Sequence, residues 1–160
     1  MNIAKTDIIH FLQAFCDASA HNRVAEDTAL AASCAGIKMC DHPLVGISSA
    51  ADELYTECKK PPVAGKRSML PSEWLPGAKS VISIFNPFTQ RIRESNAGGG
   101  MPSPAWLHGR VQGQEYIVAA AQALADRLRA QGARAIVPAA DERFAIYKEP
   151  RIYSNWSERH

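Results

Sequence analysis

The chain has 160 residues, enough for one domain that buries roughly two thirds of the surface its unfolded form exposes. Apolar residues make up 46% and charged residues 21%, which excludes the low-hydrophobicity composition of disordered chains. The net charge of +2, from 18 basic and 16 acidic residues, gives no argument for a nucleic-acid partner.

No segment approaches the roughly 18 apolar residues needed to cross a bilayer, and Met1 to Asp7 has no apolar run after a basic start, so no membrane association and a cytoplasmic location are expected. The cysteines, Cys16, Cys34, Cys40 and Cys58, are too scattered for a disulfide scaffold and read as free thiols. Their separations also miss the close run that ligates an iron–sulfur cluster, so no cluster is expected within these residues.

The first predicted element is a helix capped by Thr6, with Asp7 in its first turn and Ile8, Phe11, Leu12 and Phe15 on one face. An alanine-rich stretch from about Val24 to Ala35 predicts a second helix, with Asn22 as its cap and Gly36 as its stop. Pro43 to Ile47 reads as a strand, followed by a helix over Ala51 to Cys58 with Asp52 and Glu53 in its first turn. Such a strand-to-helix junction offers amides to an anion, or only to its own cap and water.

Between Lys59 and Gly77, prolines, glycines and cations are interleaved with Met69, Leu70, Trp74 and Leu75, predicting an ordered excursion rather than a linker. Lys79 to Phe85 carries Val81, Ile82 and Ile84 and is the clearest strand, ended by Asn86 and Pro87. Gly98 to Gly100 lie in a predicted loop over Ser95 to Pro104, without the lysine and hydroxyl of a phosphate-binding loop. The longest predicted helix runs from about Gln114 to Ala130 and stops at Gly132, and Ala133 to Val137 follows as a strand. That strand–helix–strand order predicts a sheet that is at least partly parallel. The expected fold is therefore α/β, a single mixed sheet flanked by helices.

No residue set forms a self-contained active site. The five histidines are far apart, and Cys34, Cys40, His42 and Cys58 lack the paired spacing of structural zinc sites, so no metal is expected. Trp106-Leu-His-Gly-Arg110, with Gly113, Glu115 and Tyr116, places a fixed cation, a titratable ring and a phenol just ahead of the long helix. Either these groups face a cleft, or Trp106 anchors the loop and Arg110 pairs with a surface carboxylate. Tyr153 to His160 is dense in amide, hydroxyl, aromatic and charged groups. It reads either as a segment that forms a site or as a tail that packs Trp156 on its own core.

Four stretches carry a resemblance: Pro43-Leu-Val-Gly-Ile-Ser-Ser-Ala-Ala-Asp52, Leu70-Pro-Ser-Glu-Trp-Leu-Pro-Gly-Ala-Lys-Ser-Val-Ile-Ser83, Trp106 to Arg110 with Gly113-Gln-Glu-Tyr116, and Ser154-Asn-Trp-Ser-Glu-Arg-His160. Together they resemble the N-terminal region of the epoxyqueuosine-reductase-like iron–sulfur proteins. The resemblance implies that residues 1–160 are an N-terminal α/β domain, cut before a C-terminal ferredoxin-like domain with two 4Fe–4S clusters. It further implies a cobalamin at the domain's edge, an electron-donor protein as partner, and an oxidoreductase activity of the kind that modifies transfer RNA. The cofactor-facing residues it nominates are Arg110, Tyr116, Ser154, Asn155, Trp156 and Arg159. In authentic reductases an aspartate, the proposed proton donor, stands six residues before the glutamate matched by Glu158. Here that position is Ile152, which points to a relative with another substrate. The competing expectation is a binding or interaction module of the same fold without a redox role.

Overall fold

The computed structural model describes residues 3–60, 65–148 and 152–156. It is a mixed helix-and-strand protein that divides into two compact units, Met1–Val45 with Ile84–Arg127, and Gly46–Ser83 with Leu128–His160. Among the described residues no helix is long and apolar enough to cross a membrane.

In the first unit, helix α1 (Lys5–Ala18) turns Ile8, Leu12 and Cys16 inward at helical spacing. It starts one residue before Thr6, so Thr6 lies inside the helix, and the residue ahead of it, Ala4, makes no side-chain cap. The alanine-rich stretch is a correction to the sequence reading: it holds only single 3₁₀ turns at Glu26–Thr28 and Ala32–Cys34. Its start is committed elsewhere. Val24 N–H donates to Ile37 O at 3.1 Å and Gly36 N–H to Val24 O at 2.8 Å, so backbone groups that a helix needs are bonded across the stretch. Gly36 closes the turn with φ of +71°, a conformation that favours glycine. Asn22, expected as a helix cap, is instead fully buried.

The first unit also holds α4 (Gln90–Ser95), a stretch to which the sequence reading assigned no element, and most of α5 (Pro104–Ala130). Helix α5 begins ten residues ahead of the expected Gln114. Ser103 Oγ accepts from Trp106 N–H at 3.1 Å and Pro104 occupies the first turn, a capped start that places Trp106 to Arg110 within the helix. Gly109 and Gly113 do not break it because they serve a close approach: a Cβ on Gly109 would lie 3.2 Å from Phe88 Cε1 and 3.3 Å from Ile92 Cγ2. The helix stops as expected at Gly132, whose φ is +83°.

Strands β1 (Leu44–Ser49) and β2 (Ser80–Phe85) form one two-stranded sheet. The flanking bonds Asp41 N–H to Pro87 O and Ala50 N–H to Lys79 O advance along one strand while retreating along the other, so the pair is antiparallel. A second, separate antiparallel pair joins β3 (Ile146–Tyr147) to β4 (Tyr153–Ser154). The expectation of one mixed, partly parallel sheet is thus replaced, among the described residues, by two small sheets. Ala133 to Val137 supplies no strand. One of its carbonyl groups is taken by a side chain: the Arg129 guanidinium donates twice to Ala135 O, at 3.0 and 2.9 Å. Arg134 Nη1 donates to Pro76 O at 3.1 Å, tying the segment down without a ladder.

In the second unit, α2 (Glu53–Cys58) is capped by Asp52, whose carboxylate accepts from Leu54 N–H at 3.0 Å. The short α3 (Pro71–Trp74) brings Trp74 into the interior. The Arg143 guanidinium lies 5.0 Å above the Trp74 ring and donates to Trp74 O at 2.9 Å and to Glu73 O at 3.1 Å. Its Nε also pairs with Asp141 at 2.7 Å, and that contact holds the Asp141 carboxyl below the usual carboxylate range.

Candidate functional site

The sequence nominated residues that fall in both units. In the first unit they lie on α5. Arg110 is exposed and has no hydrogen-bond or ion-pair partner among the described residues. Tyr116 lies six residues further on and is fully buried, its ring stacked on Phe15 with centroids 6.2 Å apart. Six residues on a helix turn the side chains well away from each other, which is why one is wet and the other dry. The Tyr116 hydroxyl has no hydrogen-bond partner among the described residues, and burial, helped by the neighbouring Cys16 sulfur, pushes its ionisation far above the usual phenol range. A phenol so placed is a core group rather than an acid or base facing a ligand.

His108, two residues before Arg110, is 4% exposed and fully committed. Leu30 N–H donates to Nε2 at 2.9 Å, so Nε2 is the unprotonated nitrogen of a neutral ring and Nδ1–H donates to Gln112 Oε1 at 2.8 Å. That fixes the amide of Gln112, whose Nε2 donates to Thr28 Oγ1 at 2.7 Å, and the Thr28 hydroxyl then points to Ala25 O at 3.4 Å. The chain of donors runs in one direction and holds the irregular stretch 25–30 against α5. Sequence reasoning placed His108 in a loop ahead of the helix, with a cleft-facing role and a purely structural one both open. Once the helix starts at Pro104, the i, i+4 spacing of His108 and Gln112 is the signal that they pair.

Beside this network a cleft of about 230 Å³ opens, lined by Ala20, His21, Arg23, Ala25, Gln112 and Glu115. Glu115, part of the nominated Gly113-Gln-Glu-Tyr116 stretch, is on its wall; His21 and Arg23 were not singled out. They come from a turn of 3₁₀ helix at Ala20–Asn22 and the residue after it, which no periodicity marks. On the same unit Asp17 receives Lys38 Nζ at 2.8 Å and His42 Nε2 at 2.9 Å, which holds its carboxyl below the ordinary range.

In the second unit the nominated residues are Ser154, Asn155 and Trp156. Asn155 is 4% exposed and works as a staple: its Oδ1 accepts from Ala145 N–H at 3.0 Å and its Nδ2 donates to Arg143 O at 2.8 Å. Its backbone exchanges two more bonds, N–H to Ala145 O at 3.1 Å and C=O from Met69 N–H at 2.8 Å. Ser154 Oγ donates to Trp156 O. Trp156 is half-buried, stacked on Tyr55 at 6.4 Å and edge-on to Trp74 at 6.3 Å. Arg159 and Glu158 lie outside the described residues.

Of the cysteines once weighed with His42 as ligands, Cys34 and Cys40 are buried in the first unit and Cys58 belongs to the second. Among the described residues no three His, Cys, Asp or Glu side chains gather into a metal-ligand set. No protein-family model matches the chain, and neither a curated protein nor a solved structure matches it.

Proposed function

We propose that the chain is the cofactor- and substrate-facing N-terminal part of an epoxyqueuosine-reductase-like iron–sulfur oxidoreductase, acting on a substrate other than epoxyqueuosine. The observation that carries this reading is the Ser154-Asn-Trp-Ser-Glu-Arg-His160 segment, supported by the three other stretches that resemble the family. The two 4Fe–4S clusters belong to a further domain, because the cysteines here do not fit a cluster: Cys16, Cys34 and Cys40 are buried and no close ligand run exists. Of the nominated residues, Tyr116 sits in the core and Ser154 and Asn155 have their polar groups engaged. That leaves, in the second unit, the half-buried face of Trp156, suited to a flat corrinoid edge, while Arg159 lies outside the described residues; in the first unit the exposed Arg110 guanidinium has no partner among the described residues.

The different substrate follows from Ile152. It occupies the position of the family's proposed proton donor and is 77% exposed, and an alkyl side chain has no proton to give. The competing reading, an interaction module without redox chemistry, draws on Leu44, Ile47 and Phe85, which remain exposed on strands that bury no residue.

The test is cobalamin binding, followed by visible absorbance under anaerobic reducing conditions, for the protein carried through its natural C-terminus. Binding is expected, and Trp156→Ala should weaken it about tenfold while also lowering the thermal midpoint, because its ring contacts with Tyr55 and Trp74 are lost. Asn155→Ala should lower the midpoint, as its staple role requires, without a comparable loss of binding by the protein that remains folded. Absence of both cobalamin binding and stoichiometric iron in that protein would favour the interaction module.

A further inference from the structure

The cleft on the first unit has an unusual charge arrangement for its size. Arg23 and Glu115 both line it, yet they form no ion pair with each other or with any other described residue. Arg23 commits one N–H, Nη1 to Gly36 O at 3.3 Å, and keeps the rest of its fork. His21, also on the wall, has no side-chain partner among the described residues either. Gln112, the other polar side chain of the wall, is held by His108 and Thr28 and is not bonded to either charged group. The apolar part of the wall is Ala20 and Ala25, two methyl groups.

We propose that this cleft binds a small zwitterion, an α-amino acid with a short side chain, its carboxylate on Arg23 and its ammonium on Glu115. A simple anion fits worse, because Glu115 repels it; a simple cation fits worse, because Arg23 does. A ligand carrying both charges satisfies both walls. At about 230 Å³ the cleft lies below the roughly 300–1,000 Å³ of pockets that take drug-sized molecules, which limits the ligand to a few heavy atoms. The alanine lining leaves room for a methyl or hydroxymethyl side chain. The inference does not depend on the redox reading, since no residue of the cleft other than Glu115 belongs to the stretches that support it.

The experiment is a titration of the 160-residue chain, labelled with nitrogen-15, with L-alanine, acetate and methylammonium, following backbone amide shifts at low salt. L-alanine is expected to give saturable shifts at residues 20–25 and 112–115, with a Kd on the order of 1 mM. Acetate and methylammonium should each bind at least about threefold more weakly. Arg23→Gln and Glu115→Gln, both at exposed side chains, should leave the fold intact and weaken alanine about fivefold. Glu115→Gln should also erase the preference for alanine over acetate. Equal binding of acetate and alanine, an alanine affinity unmoved by Glu115→Gln, or no saturation up to about 50 mM would each overturn the proposal.

Discussion

Asn22 and Cys40 exchange a reciprocal pair of hydrogen bonds: Cys40 N–H donates to Asn22 Oδ1 at 2.8 Å, and Asn22 Nδ2 donates to Cys40 O at 2.9 Å. The side-chain amide thus does for Cys40 what a neighbouring strand would do, satisfying both of its backbone groups in a place where no strand reaches. The same Nδ2 also meets Cys16 O at 3.1 Å, joining the end of α1 to the segment that leads into β1.

Replacing that amide should be costly. Asn22 is 0% exposed, so Asn22→Ala would leave the N–H of Cys40 and the C=O of Cys16 without a partner in a dry interior, and the C=O of Cys40 with only the weak Cys16 Sγ donor at 3.5 Å. Each stranded group costs about 1–3 kcal/mol, and partial relaxation keeps the sum near 3 kcal/mol. Urea unfolding of the variant should show this drop; a change below about 1 kcal/mol would mean that water replaces the amide.

The Cys40 thiol gives the first unit a pH dependence at the alkaline end. Burial, then the neighbouring Cys16 and Asp41, push it from 9.0 up to about 12. The folded state therefore holds the thiol proton through a range in which the unfolded chain has released it. Its contribution is complete below about pH 9 and is lost as the pH rises toward 12. Stability measured by urea melts at stepped pH should fall across this window, and Cys40→Ala should fall less steeply than the parent. In the native protein at pH 8, a thiol reagent should modify the half-buried Cys58 well before Cys16 or Cys40.

The strands and the two ends of the long helix were legible to different degrees, and for physical reasons. β2 announced itself because Val81, Ile82 and Ile84 are β-branched and Asn86-Pro87 cannot continue a ladder. Gly132 marked the end of α5 because a left-handed residue was needed there. Its start was missed because Gly109 and Gly113 look like breakers until Phe88 and Ile92 are seen against them. The stretch 24–35 shows the reverse error: alanine propensity is worth tenths of a kcal/mol per residue, and the bonds of Val24 to Gly36 and Ile37 outweigh it. For the candidate site, the sequence drew attention to the stretch Trp106 to Tyr116 but could not tell a committed polar group from a free one. His108 and Asn155 are committed, whereas Arg110 and Glu115 are free among the described residues. That distinction depends on partners 78 and 10 residues away in the chain, distances that no local pattern encodes.

The two glycines of α5 allow one contrast within a single helix. On an exposed helical site, glycine to alanine gains about 1 kcal/mol from lower backbone freedom in the unfolded chain. At Gly113 the added methyl would stand 3.7 Å from Phe88 Cε1, an ordinary contact, so Gly113→Ala should be neutral or stabilising by up to about 1 kcal/mol. At Gly109 it would stand 3.2 Å from Phe88 Cε1 and 3.3 Å from Ile92 Cγ2, and neither can yield easily. Ile92 is 0% exposed, and Phe88 is set edge-on against Trp106 with centroids 5.2 Å apart. Overpacking of this kind costs about 1–3 kcal/mol, so the helix gain is offset and Gly109→Ala should come out destabilising by about 1 kcal/mol or more. Thermal melts of the two variants side by side should therefore move in opposite directions, or at least order Gly109→Ala below Gly113→Ala. If both rise together, α4 and α5 have room to part, and the close approach at Gly109 is not what the glycine is there for.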